Sequence, residues 1–558
     1  MSEQQPQPHI VIVGAGISGI ASAIALKRQL GFTNFTICEK TTSIGSTWRT
    51  STYPGCASDI PCHLYSLSSD LNPDWSSHFA TQPQILAYLQ SLYRKHGLQR
   101  HTKFQTSVHE AEWNEERQVW RVTLRNEKMG KIMEEVIDAC FLIYGLGGFM
   151  APKYPKGISV EDFGRFKGDV WHSAEWRHDV DLKNKTVAVV GNGCSGAKIV
   201  PTLLLDTTTI VINFIRSPQW LVPMNQFQYS SLTKWIFRHV PLVMRWYRNA
   251  IFARADIEFL VFRKKNKRLR EVAVKGLTSY IKSVAPASLW GKLIPDYPVG
   301  AKQIIVDPKY LESLGRPNVE LQTEPIESLV GNGIRLKDGK IVEVDAVVFA
   351  TGYSLEPTNL RIHGLNRTTI REYFDEHGGP TAYLGGNFPG FPNLSYIIGT
   401  PGHASLLFNM EAQIQLAIQL AAPIIQNFKS HRRTGVHSLT IKEDVTDSYN
   451  TWLQSRIASS VWPDCGESYY YVDGTSRTKN IAMFPGPAML FWWFARKPRW
   501  GEWVVFGEGG RRLNGFELWF GHGIADRDVV MGAKILGALT MVWVSWMVLV
   551  LKDPRMST

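Results

Sequence analysis

Cysteine is scarce in this chain. Its 558 residues include six, Cys38, Cys56, Cys62, Cys140, Cys194 and Cys465, and no two stand as a CxxC pair or at zinc-site spacing. That pattern argues against a dithiol oxidoreductase and a cysteine-built metal site, and it suits a reducing compartment. No metal is expected, and no haem or iron–sulfur ligand set stands out. Short-period repeats and low-complexity stretches are also missing, which argues against a solenoid or a disordered chain. The opening residues, MSEQQPQPHI, lead straight into a strand. They leave no room for a secretory signal, so the main body is expected on the cytosolic face.

The chain is long enough for two or three domains with full-sized cores, and at 44% hydrophobic and 20% charged it reads as globular. The 19 tryptophans point to large flat pockets or to membrane contact. A net charge of +12 suits nucleic acid, phosphate-bearing cofactors or an anionic lipid surface. The motifs below select the last two, and no nucleic acid or obligate protein partner is expected.

ILGALTMVWVSWMVLVL, residues 535–551, is an uninterrupted apolar run with no proline and no polar face. It reaches back to Val529 if Lys534 snorkels. A helix of about 20 residues spans a bilayer. The segment 529–551 is therefore read as a C-terminal anchor in an intracellular membrane, with the endoplasmic reticulum as a candidate. The segment 225–290 interleaves apolar and basic residues at helical spacing, as in WIFRHVPLVMRWYRNAIF and RKKNKRLR. Two readings stay open for it, a solvated helical insert and a helix pair lying on an anionic membrane.

Two stretches share one design. HIVIVGAGISGIASAI near the start and NKTVAVVGNGCSGAKI at 184–199 each run strand, glycine turn, helix. Gly14, Gly16 and Gly19 complete a GxGxxG pattern, and so do Gly191, Gly193 and Gly196, with Ser195 inside the second turn. The first glycine permits the sharp turn, the second lets the backbone approach a pyrophosphate, and the third lets helix and strand pack closely. The helix N-terminus then faces the anion. Glu39 lies 25 residues after Gly14, and Arg216 lies 25 residues after Gly191. A carboxylate there accepts ribose hydroxyls and repels a 2′-phosphate, whereas a guanidinium binds that phosphate. The first site is thus expected to take FAD and the second NADPH, with hydride passing from one to the other.

FKGDVWHSAEW, residues 166–176, matches F-x-G-x-x-x-H-x-x-x-W at Phe166, Gly168, His172 and Trp176. This resembles the fingerprint of Baeyer–Villiger monooxygenases, relatives of the flavin-containing monooxygenases. GSTWRTSTYPGCASDIPCHLYS, 45–66, places Gly45, Trp48, Tyr53, Pro54, Gly55 and Asp59 on the family's flavin-side motif, with Ser46 in place of a glycine. The resemblance covers about residues 8–505. It implies that NADPH reduces FAD, that oxygen adds at flavin C4a to give a peroxide, and that one oxygen atom then enters a small apolar molecule such as a ketone or a terpenoid- or polyketide-like compound. It further implies that Asp59 lies near the flavin and positions a catalytic arginine. His172 is read either as a hinge between domains or as an acid–base group. Lys302, in YPVGAKQIIVDPKYLESL, aligns with the family's lysine and is expected to help Arg216 hold the 2′-phosphate.

At the position of the family's arginine this chain has Gln303. Glutamine can donate a hydrogen bond but carries no charge. Three outcomes stay open: oxygenation with Gln303 as donor and the charge supplied elsewhere; hydroxylation by the protonated hydroperoxide; or an NADPH oxidase or redox-neutral flavoprotein. The expected architecture is α/β with two Rossmann-like domains. A discontinuous FAD domain occupies 1–165 and 345–525, and the NADPH domain is inserted at 166–344 with the helical excursion 225–290. DAVVFATGY, 345–353, is read as the strand returning the chain to the first domain.

Overall fold

Ile10–Val13 is a strand with all four side chains buried. Its alternation sends Ile10 and Ile12 to one face and Val11 and Val13 to the other, into separate apolar clusters. A strand that is apolar on both faces belongs inside a parallel sheet with both faces covered. That is its place in this computed structural model, which describes residues 8–509 apart from 129–130, 149–150, 156, 159, 355–360, 398–405, 430–434, 473 and 476–477. The first sheet runs in the order Leu394–Tyr396, Phe141–Tyr144, Ile10–Val13, Phe35–Cys38, Thr102–Lys103, and every pairing is parallel. The helices Ile17–Leu30 and Leu406–Lys429 cover one face, and antiparallel strands between Thr106 and Ala139 cover the other.

The second sheet repeats the plan. Its order is Val319–Gln322, Ile210–Phe214, Thr186–Val190, Ala346–Phe349, Asp169–His172, again wholly parallel. Val187 and Val189 pack into one cluster, and Ala188 and Val190 into another. The strand Ala346–Phe349 differs from the sequence reading. It pairs with Thr186–Val190, so it closes the second sheet and does not open the return to the first. An apolar run looks the same whichever sheet buries it, and only the pairing tells them apart. The return to the first sheet comes later, with Leu394–Tyr396.

Three helices, Ser231–His239, Pro241–Glu258 and Lys267–Val284, occupy most of 225–290. Pro241 opens the second of them at a position where its missing N–H costs nothing. Arg248, buried in that helix, pairs with Glu411 at 3.3 Å and ties the excursion to the helix Leu406–Lys429. Among the described residues no helix is long and apolar enough to cross a membrane. The expected anchor, 529–551, lies outside the described residues.

His172 ends the edge strand of the second sheet and is fully buried. Its Nδ1 accepts the Ala174 N–H at 3.1 Å, and Tyr154 and Tyr353 meet its ring edge-on. Burial holds its imidazole down at about 4. In the unfolded chain the ring titrates near pH 6.5, so its contribution to stability is complete above that pH and is lost as pH falls towards 4. Between pH 7 and pH 5 the H172N variant should therefore lose less stability than the parent, by about 1–2 kcal/mol. Denaturant unfolding at the two pH values checks this, and equal losses would contradict it.

Candidate active site

Both glycine turns sit at the carboxyl ends of their central strands, where ligands of parallel sheets bind. In the first, Gly14 has φ +93°, and a Cβ on Gly19 would lie 1.9 Å from the Gly14 carbonyl oxygen. In the second, Gly191 has φ +115°, and a Cβ on Gly196 would lie 2.2 Å from the Gly191 oxygen. These glycines let each helix close onto its strand. Gly193 is different, because a Cβ there would meet nothing within 4 Å. It faces open space, as a phosphate cradle requires.

One cavity of about 1070 Å³ joins the two turns. Of the site residues expected from sequence, its wall includes Gly16, Trp48 and Asp59 on one side and Gly191, Gly193, Ser195, Arg216, Lys302 and Gln303 on the other. Gly14, Gly19 and Gly196 lie behind that wall and shape the turns. Glu39 is buried beside the first turn, where its carboxylate accepts the Ala15 N–H at 2.8 Å and the Thr41 N–H at 2.9 Å. His172 lies outside the wall.

At the far end of the second cradle two cations meet. Lys302 Nζ donates to Ser217 Oγ at 3.1 Å and sits 4.8 Å above the Tyr297 ring. Burial, and then the charge of Arg216, hold Lys302 below the usual lysine range. Arg216 is mostly exposed and pairs with Glu467 at 3.0 Å. A dianion placed between the two side chains would relieve the charge that Arg216 imposes on Lys302.

Near the middle of the cavity the loop 53–59 packs on the helix Gly196–Leu203. Gly55 makes this contact possible: it has φ +75°, and a Cβ there would lie 2.5 Å from Thr202 Oγ1 and 2.8 Å from the Lys198 carbonyl oxygen. Ser195 Oγ donates to the Tyr53 hydroxyl at 3.2 Å. Lys198 Nζ pairs with Asp59 Oδ1 at 2.5 Å, with the lysine side chain 4% exposed and the aspartate 20%. Gln303 is reached from the other side, where the Tyr469 hydroxyl donates to its Oε1 at 2.8 Å.

Lys198, Glu467 and Tyr469 were not foreseen from the sequence. Lys198 did leave a signal. It is the one charged residue in GAKIVPTLLL, in the first turn of an otherwise apolar helix, and a cation at a helix N-terminus is disfavoured unless a partner holds it. Glu467 and Tyr469 left none, because a loop far along the chain reaches the site only through tertiary folding.

Residues 7–272 match the family model described as flavin-binding monooxygenase-like. A Baeyer–Villiger monooxygenase of Pseudomonas aeruginosa is 32% identical over 482 residues, covering 86% of this chain and 87% of that protein. One from Streptomyces coelicolor is 30% identical over 490 residues, covering 86% and 89%. Among solved structures, the closed form of cyclohexanone monooxygenase superposes with a TM-score of 0.74 at 23% identity, over 90% of this chain and all of the other, and so shares the fold. With two nucleotide cradles opening into one cavity and relatives of this kind along most of its length, the chain belongs to the Baeyer–Villiger monooxygenases, FAD- and NADPH-dependent enzymes that put one oxygen atom of O2 into an organic molecule.

Proposed function

We propose that the substrate is an apolar ketone of terpenoid- or polyketide-like character, and that the enzyme inserts one oxygen atom beside its carbonyl. The single cavity shared by the two cradles carries this reading. Part of its wall is apolar, with Phe262, Ile304, Leu453, Trp462 and Met483, and an apolar molecule gains by entering it. When bound, FAD supplies hydride acceptance from NADPH and the activation of oxygen.

The chain's own residues do the rest. The first turn and its helix hold the FAD pyrophosphate. The amides around Gly191–Ser195 hold that of NADPH. Arg216 and Lys302 take the 2′-phosphate, which requires Arg216 to exchange Glu467 for the phosphate. Trp48 is held by the Tyr65 hydroxyl at 2.7 Å and walls the first side. Gln303, with its oxygen taken by Tyr469, keeps its NH2 as donor towards a reacting oxygen. One observation favours hydroxylation as a second reading: position 303 itself brings no charge to stabilise an oxyanion.

A membrane is the proposed setting, on the cytosolic face, with 529–551 as the anchor. Exposed Trp235, Leu242 and Trp246, beside Arg238 and Arg245, support lipid contact by the excursion. An apolar substrate would reach the cavity from the bilayer.

Three outcomes are expected. With NADPH, 18O2 and a series of apolar ketones, an ester or lactone carrying one labelled atom should appear by mass spectrometry. A hydroxylated product would select the second reading, and NADPH consumed wholly to hydrogen peroxide would overturn both. R216A should weaken NADPH binding about ten- to a hundredfold, the cost of a charged hydrogen bond, and leave NADH binding unchanged, read by fluorescence titration. Deleting 529–558 should move the protein from the membrane pellet to the supernatant. Retention in the pellet would assign membrane binding to the 231–284 helices.

A further inference from the structure

We propose that Lys198 is the cation of the reaction site in this chain, held in place by Asp59, and that it supplies the charge that Gln303 does not. The proposal rests on the monooxygenase reading above and adds a residue to it.

Four observations lead there. First, Lys198 lines the same cavity as Asp59 and Gln303. Second, its side chain is 4% exposed, so its charge acts in a poorly solvated place where it is weakly screened. Third, burial by itself would drive off its proton, but the Asp59 carboxylate outweighs burial and raises the lysine above its ordinary range. Lys198 is therefore an ammonium. The neighbouring thiols do not compete for it as anions, since burial raises both Cys56 and Cys194. Fourth, Gln303 is turned by Tyr469 so that its oxygen is engaged. Its amide then offers a neutral hydrogen bond, which complements a fixed charge and does not duplicate it.

The chemistry calls for such a charge. When oxygen is transferred to a ketone carbonyl, negative charge grows on oxygen, and a preorganised cation lowers the energy of that state. Lys198 need not give up its proton to act. Asp59 sets where the ammonium points, and the helix Gly196–Leu203 sets where it starts, so it is carried on a rigid element. The pair also spans the two sheets, because Asp59 follows the first cradle and Lys198 belongs to the second. A purely structural staple would share that geometry, and the test has to separate the two.

The full-length holoenzyme and the variants K198M, K198R, Q303R and K198M/Q303R provide that test. Reduced enzyme is mixed with oxygen without organic substrate, and the flavin absorbance is followed as it returns to the oxidised form. NADP⁺ affinity and thermal unfolding are read on the same preparations, with D59N and D59N/K198M completing a double-mutant cycle. K198M should return to oxidised flavin about ten- to a hundredfold faster than the parent, with NADP⁺ affinity within about threefold. K198R should keep most of the parent's lifetime, and K198M/Q303R should regain at least part of it, because the charge has moved and not vanished. If K198M lowers only the unfolding temperature and flavin content, while its flavin-loaded fraction behaves as the parent does, Lys198 is a staple and the proposal fails. Failure of Q303R to restore the lifetime, alongside a failing K198R, would also overturn it. None of these readouts uses a ketone, so a wrong substrate class would show in the labelled-product assay and leave this result standing.

Discussion

The contact between the 53–59 loop and the helix Gly196–Leu203 governs how the two halves of this enzyme face each other. A glycine, an ion pair and the hydrogen bond from Ser195 to Tyr53 make it. Gly55 lets the loop backbone come within reach of the helix carbonyls, and Lys198 then meets Asp59 at 2.5 Å. Removing one partner of a buried pair leaves an uncompensated charge and costs about 3–5 kcal/mol, whereas the intact pair contributes little net stability. Such a pair specifies an arrangement more than it stabilises one. Here the arrangement is the approach of the loop 53–59 to the helix Gly196–Leu203.

The rest of the site is built outward from that junction. Each cradle needs glycine for a steric reason that appears in the distances, since a Cβ on Gly19 or Gly196 would overlap a carbonyl oxygen of its own turn. Each sheet behind a cradle is parallel and apolar on both faces, which gives the turn a stiff base. The segment 467–469 reaches the cavity wall and touches two of its residues at once, Arg216 through Glu467 and Gln303 through Tyr469. One short segment thus holds both of these side chains.

Electrostatics divide the cavity into two regions. At one end, burial and then the charge of Arg216 hold Lys302 below the usual lysine range, and Arg216 pairs with Glu467. At the junction, one buried ammonium faces one carboxylate and two neutral thiols. The first region suits an incoming dianion. The second suits charge that appears briefly on oxygen, because the ammonium is already in place and little reorganisation is needed.

Local pattern was enough to read the two strand–glycine–helix units and the carboxylate and guanidinium at matching offsets, whereas the departure from arginine at 303 came from the resemblance to the family. Each of these is a short-range rule: alternation, a turn only glycine can make, one charge at a known distance along the chain. Three other matters depended on how distant segments meet. The strand Ala346–Phe349 belongs to the second sheet because it pairs with Thr186–Val190, and its apolar side chains would have suited either sheet. His172 lies inside the protein, away from the cavity wall, although its motif could not say which way the ring would face. Lys198 finds Asp59 across 139 residues of chain. The sequence by itself determined the family, the cofactors and the uncharged side chain at 303, because those are written in contiguous residues. Only the tertiary structure brought Lys198 to Asp59 in the cavity wall, because an ion pair is set by distance in space, and spacing along the chain does not contain it.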